Sequence, residues 1–225
     1  MSATADHLGA HPPTEQYLAA IYVLGSHGEA VIQARLAERV GHTAPTVSEM
    51  VHRLKEAGYI TAQGRELRLT STGRGLAESV LRKHCLAARL LAEVIGLPWH
   101  LVHAEADRWE HVISDDVAAR LAEVLGNPTT CPHGCPIPGL CTQMGPTSAL
   151  ADAKVGQRAR LVQLDDPAKF DLEALAYLEA NHFLPGCEAT VAAEGPDGSL
   201  VLSVGEHNLV MGVSMAKRLR VVLSA

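Results

Sequence analysis

Long apolar segments are missing from this sequence of 225 residues. No apolar run reaches the roughly 20 residues that a membrane-spanning helix requires. The first residues, MSATADHLGAHPPTEQ, also lack the basic and apolar regions of a signal peptide. We therefore expect a cytoplasmic protein without a membrane partner.

Cysteine is scarce, with five residues in the chain. A small and odd number does not suit a disulfide scaffold and fits a reducing compartment better. Metal binding or simple burial is the expected role of these thiols, which belong to Cys85, Cys131, Cys135, Cys141 and Cys187.

Signatures of common catalytic sites are absent as well. The chain has no His-Glu-x-x-His pair, no nucleophile elbow and no phosphate-binding loop. We expect that the protein is not an enzyme. A metal-dependent hydrolase, with Glu110 as its base, is the alternative from another class.

Basic residues are not in excess, since the formal net charge is −6. The charge is uneven, because residues 1–83 carry nine basic and eight acidic side chains whereas residues 84–225 carry ten and seventeen. A local basic surface in the N-terminal part is therefore compatible with DNA binding. The length allows one large domain or two to three small ones.

The N-terminal part has the pattern of a helix-turn-helix. Apolar spacing predicts three helices, at Thr14–Leu24, Gln33–Val40 and Pro45–Ala57. Gly41 suits the end of the second helix, and Thr43 suits the N-cap of the third. Two short strand-like runs then predict a wing, at Tyr59–Thr61 and Glu66–Thr70.

Polar side chains on the outward face of the third predicted helix can reach base edges. Basic side chains on and near the wing suit phosphate contacts, which give affinity without sequence information. The predicted DNA-contacting residues are Arg35, Thr43, Pro45, Thr46, Ser48, Glu49, Arg53 and Arg65. A small protein-interaction domain is the alternative for this pattern.

A stripe of possible metal ligands lies further along the chain, in HAEADRWEH. At about 100° per residue, one helix face within roughly 100° of arc holds His103, Asp107, Glu110 and His111. An ordinary solvated helix face is the alternative. The stripe follows a long predicted helix with His84, Thr72–Ile95, and precedes another at Val117–Leu125. Apolar residues of these helices are expected to form a dimer interface, because palindromic DNA sites suit a two-fold symmetric protein.

Residues 126–146 are rich in proline and glycine, which predicts irregular structure. Possible metal ligands are concentrated there in Cys131-Pro132-His133-Gly134-Cys135, with a structural turn as the alternative. Beyond this segment, one helix is predicted at about Asp171–Asn181 among strand-like runs at Ala159–Leu164, Glu188–Ala193, Leu200–Val204 and Leu219–Leu223. A small β-barrel is the expected C-terminal fold.

Together these segments resemble the diphtheria-toxin-repressor family of metal-activated regulators, which includes manganese transport regulators. The resemblance covers nearly the whole chain and rests on TEQYLAAIYVL, LAERVGHTAPTVSEMVHRLKEAGYI, LTSTGRGLAESVLRKHCLAARLLAEVIGL, HAEADRWEHVISDDV and CPHGCPIPG. It implies a mainly α fold with β structure. Its parts would be a winged helix-turn-helix at 1–72, a helical dimerisation and metal-binding domain at 73–146, and an SH3-like (FeoA-like) small β-barrel at 147–225.

The resemblance also implies two metal sites. The primary site corresponds to Gln16, Asp107, Glu110 and His111. Iron-responsive members have methionine and cysteine at the positions of Gln16 and Asp107, whereas manganese-responsive members have acids there. Oxygen donors at both positions favour Mn²⁺, with Fe²⁺ as the alternative. Gln16 departs from the manganese pattern because it is neutral.

The second implied site corresponds to His84 and His103, with Asp171 from the terminal domain and Glu173 as a further candidate. Ala88 stands where the family has a glutamate ligand, and Ala174 stands where some members have a glutamine. Streptococcal members of the manganese type resemble this chain in having a Cys-x-His in the turn. Cys131 and His133 are therefore candidates to replace the missing glutamate.

The resemblance implies a homodimeric transcriptional repressor with Mn²⁺ as co-repressor and a palindromic double-stranded DNA operator as its partner. An iron-dependent repressor of the same family is the first alternative. A scaffold or zinc-storage protein that does not bind DNA is the second, and it would give no metal-dependent mobility shift.

Overall fold

The computed structural model describes residues 12–26, 28, 30–141, 145–165 and 172–224. The chain divides into two compact units, Met1–Arg82 and Lys83–Ala225. Among the described residues, no helix is both long and apolar enough to cross a membrane. Asp171, one of the predicted metal ligands, lies outside the described residues.

The N-terminal unit is a winged helix-turn-helix, as the sequence predicts. Its elements are α1 Pro12–Ser26, α2 Gln33–Val40, α3 Ala44–Glu56, β1 Ile60–Gln63 and β2 Glu66–Leu69, followed by the start of α4 at Ser71. Helical spacing puts Leu18 and Ile21 on the buried side of α1, where they share a core with Leu36 and Val51. The two strands pair antiparallel and form the wing, with Ile60 opposite Leu69.

In the turn between α2 and α3, Gly41 ends α2 as predicted, but Thr43 does not cap α3 through its side chain. Gly41 ends α2 with a φ of 68°, in the left-handed region that glycine adopts at little cost. Thr43 is the N-cap residue of α3, but its side chain makes no capping hydrogen bond to the backbone. Its Oγ1 lies 2.9 Å from Oγ1 of Thr46 instead.

The second unit begins with the rest of α4, followed by the helices α5 and α6. Helix α4 spans Ser71–Leu90 and continues through a π-helical turn, Leu91–Ile95, before α5 at Trp99–Trp109 and α6 at Asp115–Val124. The prediction that the whole ligand stripe lies on one helix is wrong at its end. Glu110 is the C-cap of α5, and His111 lies in the turn that follows.

Helix α5 ends in a tightened turn that leads to the N-cap of α6. The N–H of Val112 donates to Trp109 O at 3.0 Å, which tightens the last turn. Ser114 then adopts an extended conformation as the N-cap of α6, and its Oγ accepts the N–H of Val117 at 3.2 Å. Helix α6 therefore begins at Asp115, two residues before the start predicted at Val117.

The C-terminal part is a six-stranded antiparallel sheet with one main helix. Its elements are β3 Ser148–Ala149, a 3₁₀ turn Leu150–Asp152, β4 Arg158–Leu164, α7 Leu172–Ala180, β5 Glu188–Glu194, β6 Leu200–Val204, β7 His207–Met211, α8 Val213–Ala216 and β8 Leu219–Ser224. The strand order is β3-β8-β4-β5-β6-β7. The hydrogen-bonded sheet is therefore open rather than a closed barrel within the described residues, since β3 and β7 are unpaired edges.

A tight turn at Cys131–Cys135 packs against β4. The N–H of Leu164 donates to His133 O at 3.0 Å, and the N–H of Cys131 donates to Cys135 O at 2.8 Å. Gly134 has a φ of 81°. A Cβ atom at this position would lie 1.9 Å from Val162 O, so only glycine fits. The described part of the proline- and glycine-rich segment is thus irregular, as predicted, and backbone hydrogen bonds hold this turn against β4.

Candidate metal centre and nucleic-acid interface

His84, on the buried side of α4, is the centre of a cluster of possible metal ligands. Its Nδ1 lies 2.9 Å from Glu110 Oε2 and 3.1 Å from Asp107 Oδ1. Its Nε2 lies 3.1 Å from Nδ1 of His103. One ligand atom from each of His84, His103 and Asp107 lies within 4.8 Å of the others. The side chains of α4 and α5 therefore converge on one point.

The electrostatics of this cluster favour a positive charge at its centre. Burial lowers the pKa of His84, but hydrogen bonds with Asp107 and Glu110 outweigh that effect and raise the pKa to about 10. Burial and the charge on His84 lower the pKa of His103 to about 4. Burial raises the pKa of Asp107, yet the hydrogen bond with His84 brings it below its usual range. The cluster thus holds a cationic imidazolium between two carboxylates.

The donor set suits a divalent metal ion. Two imidazoles and two carboxylates are ligands for borderline to hard ions such as Mn²⁺ and Fe²⁺, and none of the four donors is a thiolate. The side chain of Asp107 is 56% exposed whereas that of Glu110 is 11% exposed. An ion can therefore reach the cluster from the side of Asp107.

The predicted ligands are grouped differently from the two sites that the resemblance implies. Asp107 and Glu110, assigned to the primary site, contact His84 of the second site. His111 lies at the edge of the cluster, with Nε2 3.4 Å from Glu110 Oε1. Gln16 belongs to the N-terminal unit, where it is exposed on α1. Ala88, in place of a carboxylate, is fully buried on α4.

His133 is the most unusual polar residue near the cluster. It is 1% exposed, and among the described residues neither of its ring nitrogens has a hydrogen-bond partner of ordinary geometry, although its imidazole lies close enough to Cys131 to lower the pKa of that thiol. Its ring centroid lies 4.5 Å from that of Trp99 and 5.8 Å from that of His103. A buried imidazole without partners is costly, so these nitrogens call for a ligand such as a metal ion.

Three thiols surround the same turn. Hydrogen bonding to Cys131 and burial raise the pKa of the Cys85 thiol, whereas hydrogen bonds from Cys135 and Cys85 lower the pKa of Cys131. The lowered pKa makes Cys131 a better thiolate donor than Cys85. The sequence drew attention to Cys131 but not to Cys85, because the contact joins α4 to a turn some 46 residues later.

One contact near the site was not predicted at all. The carboxylate of Glu179, on α7, accepts the backbone N–H groups of Trp99 at 2.8 Å and of His100 at 3.1 Å. It also contacts Nδ1 of His100 at 2.5 Å. No local motif signals a cap that comes from 80 residues away, so the sequence pattern could not have revealed it.

The predicted DNA-contacting residues share one property, which is that their side chains reach the surface. All eight candidates are exposed, namely Arg35, Thr43, Pro45, Thr46, Ser48, Glu49, Arg53 and Arg65. On α3, Val47, Val51 and Leu54 are buried, which turns the polar face of the helix outwards. Arg35 also donates to Ala30 O at 2.9 Å. Helix α3 is therefore free to enter a groove with its polar face.

Three protein-family models match successive parts of this chain. The N-terminal DNA-binding domain of iron-dependent repressors matches residues 11–66. The metal-binding and dimerisation domain of iron-dependent repressors matches residues 70–139. A FeoA domain matches residues 149–223.

Curated relatives are similar over almost their whole length. The iron-dependent repressor IdeR of Mycobacterium leprae (strain TN) is 40% identical over 220 residues, which cover 92% of this chain and 96% of that protein. The diphtheria toxin repressor of Corynebacterium diphtheriae (strain ATCC 700971 / NCTC 13129 / Biotype gravis) is 36% identical over 219 residues, with coverage of 92% and 96%.

Solved structures of manganese regulators have the same fold. A manganese-dependent transcriptional repressor in complex with manganese has a TM-score of 0.80 at 28% identity and covers 93% of this chain and 99% of its own. The manganese regulator SloR has a TM-score of 0.72 at 26% identity, with coverage of 94% and 98%.

A winged helix-turn-helix, a metal-binding and dimerisation domain and a FeoA domain together define a class of metal-dependent DNA-binding transcriptional repressors, which are not enzymes. This chain belongs to the iron-dependent repressor family, which includes IdeR and the diphtheria toxin repressor. The resemblance inferred from the sequence, the mixed fold and the expectation of a non-enzymatic repressor are confirmed.

Proposed function

We propose that this chain is a homodimeric repressor that binds a palindromic operator in the cytoplasm when it is loaded with Mn²⁺. The observation that supports this proposal most directly is the convergence of His84, His103, Asp107 and Glu110 in a chain whose N-terminal unit is a winged helix. The domain boundaries proposed with it are residues 72 and 146.

Mn²⁺ is favoured by the type of donors. Gln16 and Asp107, the two positions at which iron-type members carry sulfur ligands, both offer oxygen, and hard oxygen donors suit Mn²⁺. A manganese-dependent repressor is among the structures with the same fold. Fe²⁺ is the second candidate, because the curated relatives are iron-dependent repressors and Fe²⁺ binds most sites more tightly than Mn²⁺ does. Selectivity would then come from geometry and from the supply of each metal.

Two sets of ligands are proposed. The primary set is Gln16, Asp107, Glu110 and His111, and the second is His84, His103, Cys131, His133 and Asp171. Support for Cys131 and His133 comes from the lowered pKa of the thiol and from the two ring nitrogens of His133 that lack partners. The contacts of His84 with both carboxylates support an exchange in which its proton is replaced when metal binds.

A two-fold dimer is proposed to form through apolar side chains that the second unit leaves exposed on or beside its helices, namely Val94, Ile95, Leu101, Val112, Val117 and Val124. Contiguous exposed apolar surface commonly marks an interface, and these six side chains all lie between residues 94 and 124. A second copy is the proposed partner because a palindromic operator requires two winged helices related by two-fold symmetry. In the family model, this part of the chain carries the dimerisation function.

Bound metal would supply the positive charge that holds its ligands in one arrangement. This chain's residues would do the rest: Glu49 and Thr46 of α3 would contact bases, while Arg35, Arg53 and Arg65 would contact phosphates. A change from 1% to 99% competent protein needs about 5.5 kcal/mol of differential binding, which is within reach of two multi-ligand sites.

The first test measures operator binding by fluorescence anisotropy on the full chain, with chelator and then with added Mn²⁺. Chelated protein should lose specific DNA binding and regain it when Mn²⁺ is restored. Equally tight operator binding by the metal-free protein would contradict the co-repressor mechanism.

Metal identity is tested with the double variant Gln16→Met and Asp107→Cys, which restores the iron-type donors. DNA affinity is measured anaerobically against free Mn²⁺, Fe²⁺, Co²⁺ and Ni²⁺ for both proteins, with each single variant as a control. The double variant should shift its preference from Mn²⁺ towards the softer ions. Identical metal rankings would remove the main support for Mn²⁺.

A further inference from the structure

Helix α5, which carries His103 and Asp107, has no cap from its own sequence. Its N-cap residue is Pro98, which makes no side-chain hydrogen bond. The first N–H groups of a helix need acceptors from elsewhere, because no carbonyl of the helix precedes them. Here two of them, those of Trp99 and His100, are satisfied by a single carboxylate from another part of the unit.

Glu179 supplies that carboxylate from the last turn of α7. Oε1 accepts from Trp99 N at 2.8 Å, and Oε2 accepts from His100 N at 3.1 Å. Nδ1 of the His100 imidazole also contacts the same Oε2 at 2.5 Å. A negative charge at this end of the helix also interacts favourably with the helix dipole. The contact therefore fixes both the position and the direction of the first turn of α5.

The fixed turn is directly next to the metal centre. His103 lies one helical turn after His100, and its Nδ1 is 3.1 Å from His84 Nε2. Trp99 reaches the same region in another way, because its Nε1 donates to Pro132 O at 3.1 Å and its ring lies against that of His133. A shift of the first turn of α5 would move His103 and remove support from His133 together.

Glu179 is itself anchored in the terminal sheet. Helix α7 buries Leu175 and Leu178 in the core of that sheet, and the hydroxyl of Tyr177 donates to Val210 O on β7 at 2.9 Å. The position of the carboxylate is therefore set by the fold of the FeoA-like part.

We propose that Glu179 is a positioning residue through which the C-terminal domain sets the geometry of the His84–His103 metal centre by capping α5. The proposal rests on the proposed function, since it assumes that this centre binds a divalent metal. It differs from ligation, because Glu179 acts on the backbone of α5 and does not itself need to touch the ion.

The experiment compares Co²⁺ binding by full-length wild type, Glu179→Ala, Glu179→Gln and a control, Glu206→Ala. Glu206 is an exposed glutamate in the turn between β6 and β7. Co²⁺ is titrated by its visible absorption spectrum, which reports ligand geometry directly. Glu179→Ala should bind Co²⁺ about fivefold more weakly, as expected for the loss of a helix cap, and with an altered spectrum. Glu179→Gln keeps an oxygen acceptor and should recover part of the loss, whereas Glu206→Ala should match wild type.

A double-mutant cycle with His103→Ala separates positioning from general destabilisation. If Glu179 acts through His103, the effect of Glu179→Ala on Co²⁺ affinity should shrink to near zero in the His103→Ala background. An equal loss in both backgrounds, or unchanged affinity and spectrum in Glu179→Ala, would overturn the inference. Failure of wild type to bind Co²⁺ would instead overturn the proposed function.

Discussion

The DNA-facing helix α3 and the metal centre place their functional side chains in opposite environments. On α3, the functional residues face solvent and do not pack in the core. The buried residues of this helix are Val47, Val51 and Leu54. At the metal centre, His84 is buried and touches partners from α5 and from the residue after it. Function can therefore change on α3 with little effect on folding, whereas at the metal centre binding, protonation and packing change together.

Among the variants of the buried metal centre, His84→Ala should have the largest effect on operator binding. The variant removes the imidazole shared by the cluster and leaves Asp107 and Glu110 facing each other without a cation. Mn²⁺-dependent operator affinity should fall more than about 100-fold. Anisotropy titrations measure the loss, with His207→Ala, an exposed histidine of the terminal sheet, as the control. Wild-type affinity in His84→Ala would show that the cluster does not control DNA binding.

Acidity should have the next largest effect, because a proton and a metal ion compete for His84. The folded pKa of about 10 lies above the ordinary value of 6.5, so protonated His84 stabilises the metal-free fold fully below pH 6.5 and loses this contribution as the pH rises towards 10. Metal binding needs the deprotonated ring. Apparent Mn²⁺ affinity should therefore rise by up to about tenfold per pH unit above pH 6.5.

The pH prediction is checked by titrating Mn²⁺ between pH 6.5 and 8.5 and by thermal unfolding of metal-free protein over the same range. Affinity should increase while the metal-free melting temperature falls. The variant His84→Ala provides the reference, since its affinity should lack this dependence. A flat affinity profile in wild type would contradict the proton exchange.

On the exposed side, Glu49→Ala and Arg53→Ala are expected to differ in kind. Glutamate can accept from cytosine N4, so Glu49→Ala should change the preferred base and cost about 1–3 kcal/mol on the best operator. Arg53→Ala should weaken all sequences alike and reduce the salt dependence of binding. Binding is measured on a library of single-base operator variants at several salt concentrations. Equal losses on every sequence for Glu49→Ala would exclude base reading by that residue.

The smallest expected effects are changes in the free energy of unfolding at two helix N-caps, Thr43 of α3 and Ser114 of α6. Ser114 Oγ accepts the N–H of Val117, so Ser114→Ala should lower the free energy of unfolding by about 1 kcal/mol. Thr43 makes no such bond, so Thr43→Ala should cost less than about 0.5 kcal/mol. Urea unfolding of both variants measures the difference. The reverse order would mean that the Thr43–Thr46 contact matters more than the backbone cap.

The winged helix could be read from the sequence because its signals are local. Gln33–Val40 was predicted with its observed bounds, since apolar spacing and Gly41 define both ends. The β7 strand was missed because it begins with the polar pair His207-Asn208, and the two-residue β3 strand is too short to show alternation. The structure has an open sheet where a closed barrel was predicted. Closure depends on whether the two edge strands pair, and that contact joins residues far apart in sequence.

The candidate site could be predicted only as a set of residue types. Helical periodicity gives angles around one axis, so it brought His103 and Asp107 to one face of α5 correctly. It says nothing about the distance between helices, and for this reason the contact of His84 with both carboxylates was not foreseen. Nor could it locate Cys85 beside Cys131 or Glu179 at the start of α5, where the partners meet through tertiary structure.

Gly134 allows the turn at Cys131–Cys135 to lie directly against β4. The position lacks space for even one methyl group, because Val162 O occupies it, and its φ excludes most other residues as well. A residue with a side chain at this position would force the turn away from the sheet. Any other residue at position 134 would therefore displace the turn from β4, and with it the side chains of Cys131 and His133 that the turn presents.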